Sequence, residues 1–370
     1  MRFVDECKEL AMVRVLTARI ARLCEAGRPY TFMELCGGHT QTIDKHGIED
    51  YLPPNLTLVH GPGCPVCVLP RGRVDDAIYL AEQPGVIMTS FGNMLRVPGS
   101  QGSFLDAKAR GADIRMVYSP LEALKIARQH ADKQVVFMAI GFETTASSTA
   151  LTLLRAVREG VPNFSVFCNH VIIMPAIQAI LESSDLRLDG IIGPGHASTV
   201  IGCRPYEFIA RDFGKPVVVA GYGLLDMLQA VSMLLEQLAG GRHGVENQYS
   251  RMVPWDGNLE ALQAIHEVME LRSSFEWRGL GCISHSALQL RDAFACYDAE
   301  RRFEIPGLRV ADPEVGDAAC TPETPFGLCR VSSAGACAAC YNYGCFSRER
   351  LEHPRTLPLR SGLPPRLVPG

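Results

Sequence analysis

The chain opens with apolar residues at helical spacing. Leu10, Val13, Leu16, Ile20 and Leu23 recur among Arg14, Arg19 and Arg22, which predicts an amphipathic helix over residues 7–26. From Leu56 the pattern changes to short apolar runs alternating with helical stretches. Strands are predicted at Leu56–His60, Val86–Ser90, Ile114–Tyr118, Val135–Ile140, Phe164–Phe167, Gly190–Ile192 and Val217–Ala220. Helices are predicted between them, at Pro120–His130, Ala146–Glu159, Pro175–Leu181 and Leu224–Leu238. Strands and helices in alternation argue for parallel sheets built from strand–helix–strand units.

Several predicted strands run into glycine-bearing turns with polar side chains. Leu56–His60 leads to Gly61-Pro62-Gly63-Cys64, Val135–Ile140 to Gly141-Phe142-Glu143-Thr144-Thr145, and Gly190–Ile192 to Gly193-Pro194-Gly195-His196. Ligands in open α/β sheets bind beyond the carboxyl ends of strands, where these turns would sit. The repeated Gly-Pro-Gly hints at two similar halves across one cleft. After Gly240 the alternation fades, and Gly240-Gly241-Arg242-His243-Gly244 reads as a boundary. Helices are expected beyond it at Leu259–Leu271 and Ser286–Asp298. Residues 303–345 are rich in Pro, Gly and Cys with little apolar periodicity, so that stretch needs a metal or another staple.

Composition narrows the class. At 370 residues, several domains are the default. A content of 47% hydrophobic and 21% charged residues fits a folded soluble protein, and a net charge of −4 gives no footprint for nucleic acid. No apolar run reaches the ~18–20 residues of a membrane helix. Met1-Arg2-Phe3-Val4-Asp5-Glu6 does not read as the start of a secretory signal, so a cytoplasmic location is expected. Fourteen cysteines are then expected as thiols, metal ligands or redox pairs rather than as a disulfide framework.

The cysteines fall in motifs. Cys64-Pro65-Val66-Cys67 can serve as a dithiol/disulfide couple or as two ligands of one metal; two unrelated core cysteines are the plainer alternative. Cys36-Gly37-Gly38-His39-Thr40 offers a thiolate and an imidazole on a pliable backbone, and a metal there needs partners such as Cys64 and Cys67. A buried cysteine at a helix start is the simpler reading. Glu143, Thr144 and Thr145 suit either an ordinary helix cap or the binding of a polar group. His196 is a ligand or proton-relay candidate against the commoner structural role. Cys320, Cys329, Cys337, Cys340 and Cys345 are dense enough to indicate an iron–sulfur cluster or zinc, with spacing indifferent between the two.

Together these motifs resemble the hydrogenase maturation factor HypD family, from Phe3-Val4-Asp5-Glu6 to Tyr343, including Val331-Ser332-Ser333 before Gly335-Ala336-Cys337. The resemblance implies a scaffold that works with the small chaperone HypC to assemble the Fe(CN)2CO unit of the [NiFe]-hydrogenase active site, with cyanide delivered by HypE. It implies Cys36 as the iron-ligating thiolate, shared with a HypC cysteine, and Cys64 and Cys67 as the nearby redox pair or further iron contacts. It also implies a C-terminal [4Fe–4S] cluster able to pass electrons toward that pair. Soft thiolates in a sheltered cleft suit a low-spin iron that carries cyanide and carbon monoxide.

The chain departs from the family where Ala311 to Ala319 replaces a longer cysteine-rich stretch. Of the usual cluster positions only those of Cys320 and Cys337 remain, and Cys329 matches one half of a disulfide whose partner is missing. A rebuilt cluster is therefore expected on Cys320, Cys337, Cys340 and Cys345, with Cys329 as the substitute ligand. Gln41 and Thr42 stand where a second histidine is common, which leaves His39 alone there. The expected fold is α/β, two parallel-sheet lobes (1–145 and 146–240) facing a cleft. A cysteine-rich iron–sulfur domain (241–352) and a disordered tail (353–370) complete it. The rival functions are a thiol–disulfide oxidoreductase and a zinc-binding structural protein.

Overall fold

The computed structural model describes residues 2–183 and 187–306. The cysteine-rich region with Cys320, Cys329, Cys337, Cys340 and Cys345, and the tail after it, lie outside the described residues. The strands are β1 (Tyr30–Glu34), β2 (Leu56–His60), β3 (Val86–Ser90), β4 (Asp113–Met116), β5 (Gln134–Gly141), β6 (Phe164–His170), β7 (Gly190–Pro194), β8 (Val217–Ala220), β9 (Val245–Asn247), β10 (Met269–Leu271), β11 (Ser274–Trp277), β12 (Gly281–Ser284) and β13 (Leu288–Leu290). The α-helices are α1 (Arg2–Leu23), α2 (Gly37–His46), α3 (Arg71–Ala81), α4 (Phe104–Ala109), α5 (Pro120–Gln129), α6 (Glu143–Glu159), α7 (Ile173–Leu181), α8 (Gly195–Ile201), α9 (Glu207–Phe213), α10 (Leu224–Ala239), α11 (Leu259–Val268) and α12 (Ala299–Arg302).

Two parallel sheets carry the fold, in the orders β2-β1-β7-β8-β9 and β4-β3-β5-β6. Their central strands read as unbroken apolar runs because both faces are covered: Val135 to Met138 on β5 and Val217 to Ala220 on β8 are fully buried. One core joins Met33, Val59 and Ile191 of the first sheet to Ile87, Val135 and Phe137 of the second. Among the described residues no helix is long and apolar enough to cross a membrane.

The sheets do not follow chain order. The chain lays down β1 and β2, leaves to build the second sheet, and returns to add β7, β8 and β9 beside β1. The boundary expected at 145/146 therefore falls between β5 and β6, which are paired neighbours. The boundary expected at Gly240–Gly244 is a turn into β9, which pairs with β8. Both Gly-Pro-Gly segments lie at the carboxyl ends of strands of the first sheet, on either side of β1, so they do not mark two halves.

β1 is one of the strands that local pattern misses, with β9 to β12. Five residues ending in Glu34 carry too little periodicity, yet β1 pairs with β2 from Tyr30↔Leu56 to Glu34↔His60 and with β7 on its other side. The helix expected at Ser286–Asp298 is instead β13 and a short 3₁₀ turn at Asp292–Tyr297. Leu288 and Leu290 are buried and Gln289 is not, a strand alternation that places Leu288 opposite Leu271 in an antiparallel pair. That pairing also ends α11 at Val268, three residues before the expected stop.

Candidate functional site

The order of the first sheet reverses at β1, whose neighbours are β2 and β7. That is a topological switch point, where the loops leaving adjacent strands part and open a crevice. The loops here are Cys36-Gly37-Gly38-His39 after β1, Gly61-Pro62-Gly63-Cys64 after β2 and Gly195-His196 after β7.

Glu34 anchors the crevice. Its buried carboxylate accepts from the His60 ring at Nδ1 (2.6 Å), the Thr40 hydroxyl (2.5 Å) and the Cys36 backbone N–H (2.7 Å). This holds Cys36 in an extended conformation at the N-cap of α2. Gly63 lies against the same turn; a Cβ on it would stand 2.3 Å from the Cys36 nitrogen, so no other residue fits. Its carbonyl accepts from the Gly37 N–H at 3.1 Å, which joins the two cysteine loops. Cys64 and Cys67 are linked as a disulfide, with their Cα atoms 5.3 Å apart and the Cys67 N–H donating to Cys64 Sγ at 3.1 Å. Cys36 remains a free thiol beside them.

Tyr222, in the loop after β8, connects these parts. Its hydroxyl oxygen accepts from the His196 backbone N–H (2.7 Å), which leaves its proton for Cys36 Sγ at 3.2 Å. The ring stacks on His39 (centroids 4.7 Å apart) and lies against the His196 ring (4.4 Å). A Cβ on Gly38 would be 2.7 Å from the Tyr222 ring, so this glycine makes room for the phenol. His39 is buried. Its Nε2 donates to the Ala220 carbonyl at 3.1 Å, and Nδ1 is left buried without a partner. Burial lowers the His39 pKa and keeps the ring neutral.

Burial raises the Cys36 thiol pKa above its ordinary value; the Tyr222 hydroxyl and the Gly38 and His39 N–H groups pull it down, while Glu34 pushes it up. Burial, with Cys36 next, raises the Tyr222 hydroxyl far above its usual range, so it stays protonated as a donor. Tyr222→Phe removes the one side-chain hydrogen bond that stabilises the thiolate among the described residues. Its expected effect is a rise in the Cys36 pKa, because the hydroxyl that lowers it is gone. The pH dependence of iodoacetamide alkylation at Cys36 measures it, and an unchanged profile would show that the hydroxyl does not act on the sulfur.

Glu143 stands elsewhere, after β5 of the second sheet, as the first residue of α6. One carboxyl oxygen accepts from the Ile173 N–H at 3.3 Å and the other is buried without a partner. No hydrogen bond among the described residues joins it to Cys36, Cys64, Cys67, His39 or His196. Tyr206 lies within electrostatic reach of both Glu143 and Cys36, with its buried hydroxyl paired to Ser198 at 2.9 Å. Burial pushes the Glu143 pKa up to about 7. A folded pKa above the unfolded value of 4.5 means that stability is fully present below pH ~4.5 and declines as pH rises toward 7. Glu143→Gln, which cannot ionise, is expected to be more stable than the parent by roughly 3 kcal/mol at pH 8, the gap vanishing below pH ~4.5. Denaturant titrations at the two pH values check this.

Sequence reasoning named Cys36, His39, Cys64, Cys67 and His196, which the fold gathers, and Glu143, which follows a strand of the second sheet. It missed Glu34, His60 and Tyr222. Gly221-Tyr222-Gly223 follows the predicted strand Val217–Ala220, the same strand–glycine–polar layout that marked the other turns. Among the described residues no group of three or more His, Cys, Asp or Glu side chains is assembled to hold a metal ion.

The sequence model of the HypD family, described as the hydrogenase formation hypA family, matches residues 11–344. The chain belongs to the HypD family. It is 51% identical to hydrogenase maturation factor HypD2 of Bradyrhizobium diazoefficiens, over 94% of this chain and 98% of that protein. It is 50% identical to HypD of Rhizobium leguminosarum bv. viciae over 95% and 97% of the two chains, and 46% identical to HypD of Escherichia coli over 93% and 98%. In this family member the switch-point crevice around Cys36 is the candidate site.

Proposed function

We propose that this protein acts in hydrogenase maturation as a scaffold on which the Fe(CN)2CO unit of the [NiFe] site is assembled. The observation that supports this most is one free, half-buried thiol, Cys36, held by Glu34 and Tyr222 beside the Cys64–Cys67 pair. Membership of a family whose members are named for hydrogenase maturation supplies the process.

The iron is cargo in this reading. Cys36 gives it one soft thiolate, released from its proton as the metal arrives, with Tyr222 donating to the sulfur. Because Cys64 and Cys67 hold each other in this state, the remaining thiolate comes from a partner, a HypC-type chaperone. A HypE-type protein brings cyanide. Reduction of Cys64–Cys67 takes two electrons and two protons and yields two thiols, which then serve as donors or reductants beside the cargo. A [4Fe–4S] cluster on Cys320, Cys337, Cys340 and Cys345, or with Cys329, belongs to the same proposal, as does a cytoplasmic location where thiols stay reduced.

Infrared spectra of protein isolated without oxygen together with its HypC-type partner test the reading, since bound cyanide and carbon monoxide absorb where proteins do not. Both bands together with iron are the expected result. A complex without bands and without iron would overturn it. The formed disulfide favours one second reading, a thiol–disulfide oxidoreductase, which requires turnover of small disulfides with no hydrogenase partner present.

A further inference from the structure

The turn between β11 and β12 folds against the loop that carries the disulfide. The Arg278 backbone N–H donates to the Val68 carbonyl at 2.7 Å, one residue after Cys67, and Leu280 packs in the same cluster as Cys64, Val66 and Val68. The Arg278 side chain is anomalous there. Its Nε and Nη2 are both buried, and neither has a hydrogen-bond partner among the described residues.

These two nitrogens form one edge of the guanidinium, the fork that grips two oxygens of a planar anion with parallel N–H bonds. Elsewhere in this molecule the same edge is filled. Arg115 Nε and Nη2 donate to the two oxygens of Asp113 at 2.8 and 2.9 Å. Arg211 uses the same pair on Asp212 at 2.6 and 2.7 Å. At Arg278 the fork is built, shielded from water and lacks its acceptor, a costly arrangement unless something completes it.

The surrounding charge is suited to an anion. Arg71, the first residue of α3, is close enough to repel Arg278 and has no ion pair among the described residues. The first turn of α3 contains no acidic residue, and its N-cap, Pro70, offers no side-chain cap to the free N–H groups. Burial, then Arg71, lowers the Arg278 pKa, as expected for a cation short of counter-charge. Among the described residues the carboxylate that acts against this is Glu276, which is exposed and forms no ion pair with Arg278.

We propose that the Nε–Nη2 edge of Arg278, with Arg71 beside it, is a carboxylate-binding subsite next to the Cys64–Cys67 pair. Its occupant carries a carboxylate to the dithiol, either as a small acid or as the carboxylate of a protein chain. The subsite is independent of the iron-scaffold reading, because it is tested on the oxidised, iron-free full chain.

The test follows the arginine Nε–H resonances of 15N-arginine-labelled protein at fixed ionic strength. The probes are acetate, a five-residue peptide with a free C-terminal carboxylate, and the same peptide amidated. One resonance, absent from Arg278→Lys, is expected to shift saturably with acetate or with the acid peptide and not with the amide. Arg71→Gln, an exposed change that keeps the fork, is expected to weaken that binding by roughly threefold to tenfold. Saturation at lower concentration by acetate identifies a small acid as the source, and by the peptide a protein chain. No saturable shift with either probe, or equal shifts with the amide, overturns the proposal. So does undiminished binding in Arg278→Lys whose other resonances are unmoved.

Discussion

Cys36→Ala is expected to remove the cyanide and carbon monoxide bands altogether, with iron falling to background, while the protein stays folded. The sulfur is the only free thiol of the three at the crevice, so nothing among the described residues replaces it as a soft ligand there. The structural loss is small. Glu34 holds Cys36 through its backbone N–H, which alanine keeps, and the Tyr222 oxygen still accepts from His196. Stability should change by about 1 kcal/mol or less. Cys36→Ser sharpens the test, because a hydroxyl keeps the polar contact with Tyr222 and still cannot serve as a soft ligand. Infrared bands retained in both variants would remove Cys36 from the site. Loss of the bands accompanied by early unfolding would turn its role into a structural one.

The largest expected effect on stability lies away from the crevice. Glu300, in α12, binds Arg73 of α3 and Arg272, and all three side chains are largely buried. Arg272 Nη2 donates to one Glu300 oxygen at 2.6 Å and Nη1 to the other at 3.2 Å; Arg73 Nη2 shares the first. Arg73 Nε also donates to the Asn169 side chain at 2.6 Å, and both arginines reach the Cys168 carbonyl at the end of β6. The carboxylate thus links the helix after the disulfide loop, the edge of the second sheet and the last described helix.

Burial pushes the Glu300 pKa up, but Arg73 and Arg272 outweigh it and hold the group below its ordinary value. A depressed folded pKa means that the stabilisation is present above the unfolded pKa of 4.5 and is lost as pH falls below it. Glu300→Gln leaves two buried guanidinium groups facing each other without a counter-charge. The expected cost is about 3–5 kcal/mol at pH 7, narrowing as pH drops below ~4.5. Chemical denaturation across that range measures it. A cost under about 1 kcal/mol at pH 7 would show that the arginines find enough compensation in backbone carbonyls.

The apolar runs made most of the parallel strands legible, with Leu56–His60, Val86–Ser90 and Val217–Ala220 observed over the expected residues. A strand buried on both faces announces itself by continuous Val, Ile, Leu and Phe, whatever its neighbours. β1 does not, because Tyr30-Thr31-Phe32-Met33-Glu34 holds no Val, Ile or Leu, and its last residue, Glu34, serves the crevice. Ser286–Asp298 misled for a related reason: Leu288 and Leu290 alternate with period two over only three residues, too few to outweigh the surrounding helix formers.

The cysteine motifs were equally legible, because glycine beside a thiol has few other uses and each motif follows a strand. Partnership was not. Cys36 and Tyr222 are 186 residues apart, and no local pattern connects them. Glu143, whose motif looks as promising as the rest, ends on the other sheet.

By itself the amino-acid sequence determined most of the parallel strands, the α/β class, the family and the residue types able to handle soft metal chemistry, since each is carried by short local patterns and motifs. Tertiary structure alone decided which strands share a sheet, that β1 lies at its switch point, and that Glu34, Tyr222 and Arg278 belong around the cysteines. Those facts depend on how the chain leaves the first sheet after β2 and returns at β7, a choice made by packing across more than a hundred residues.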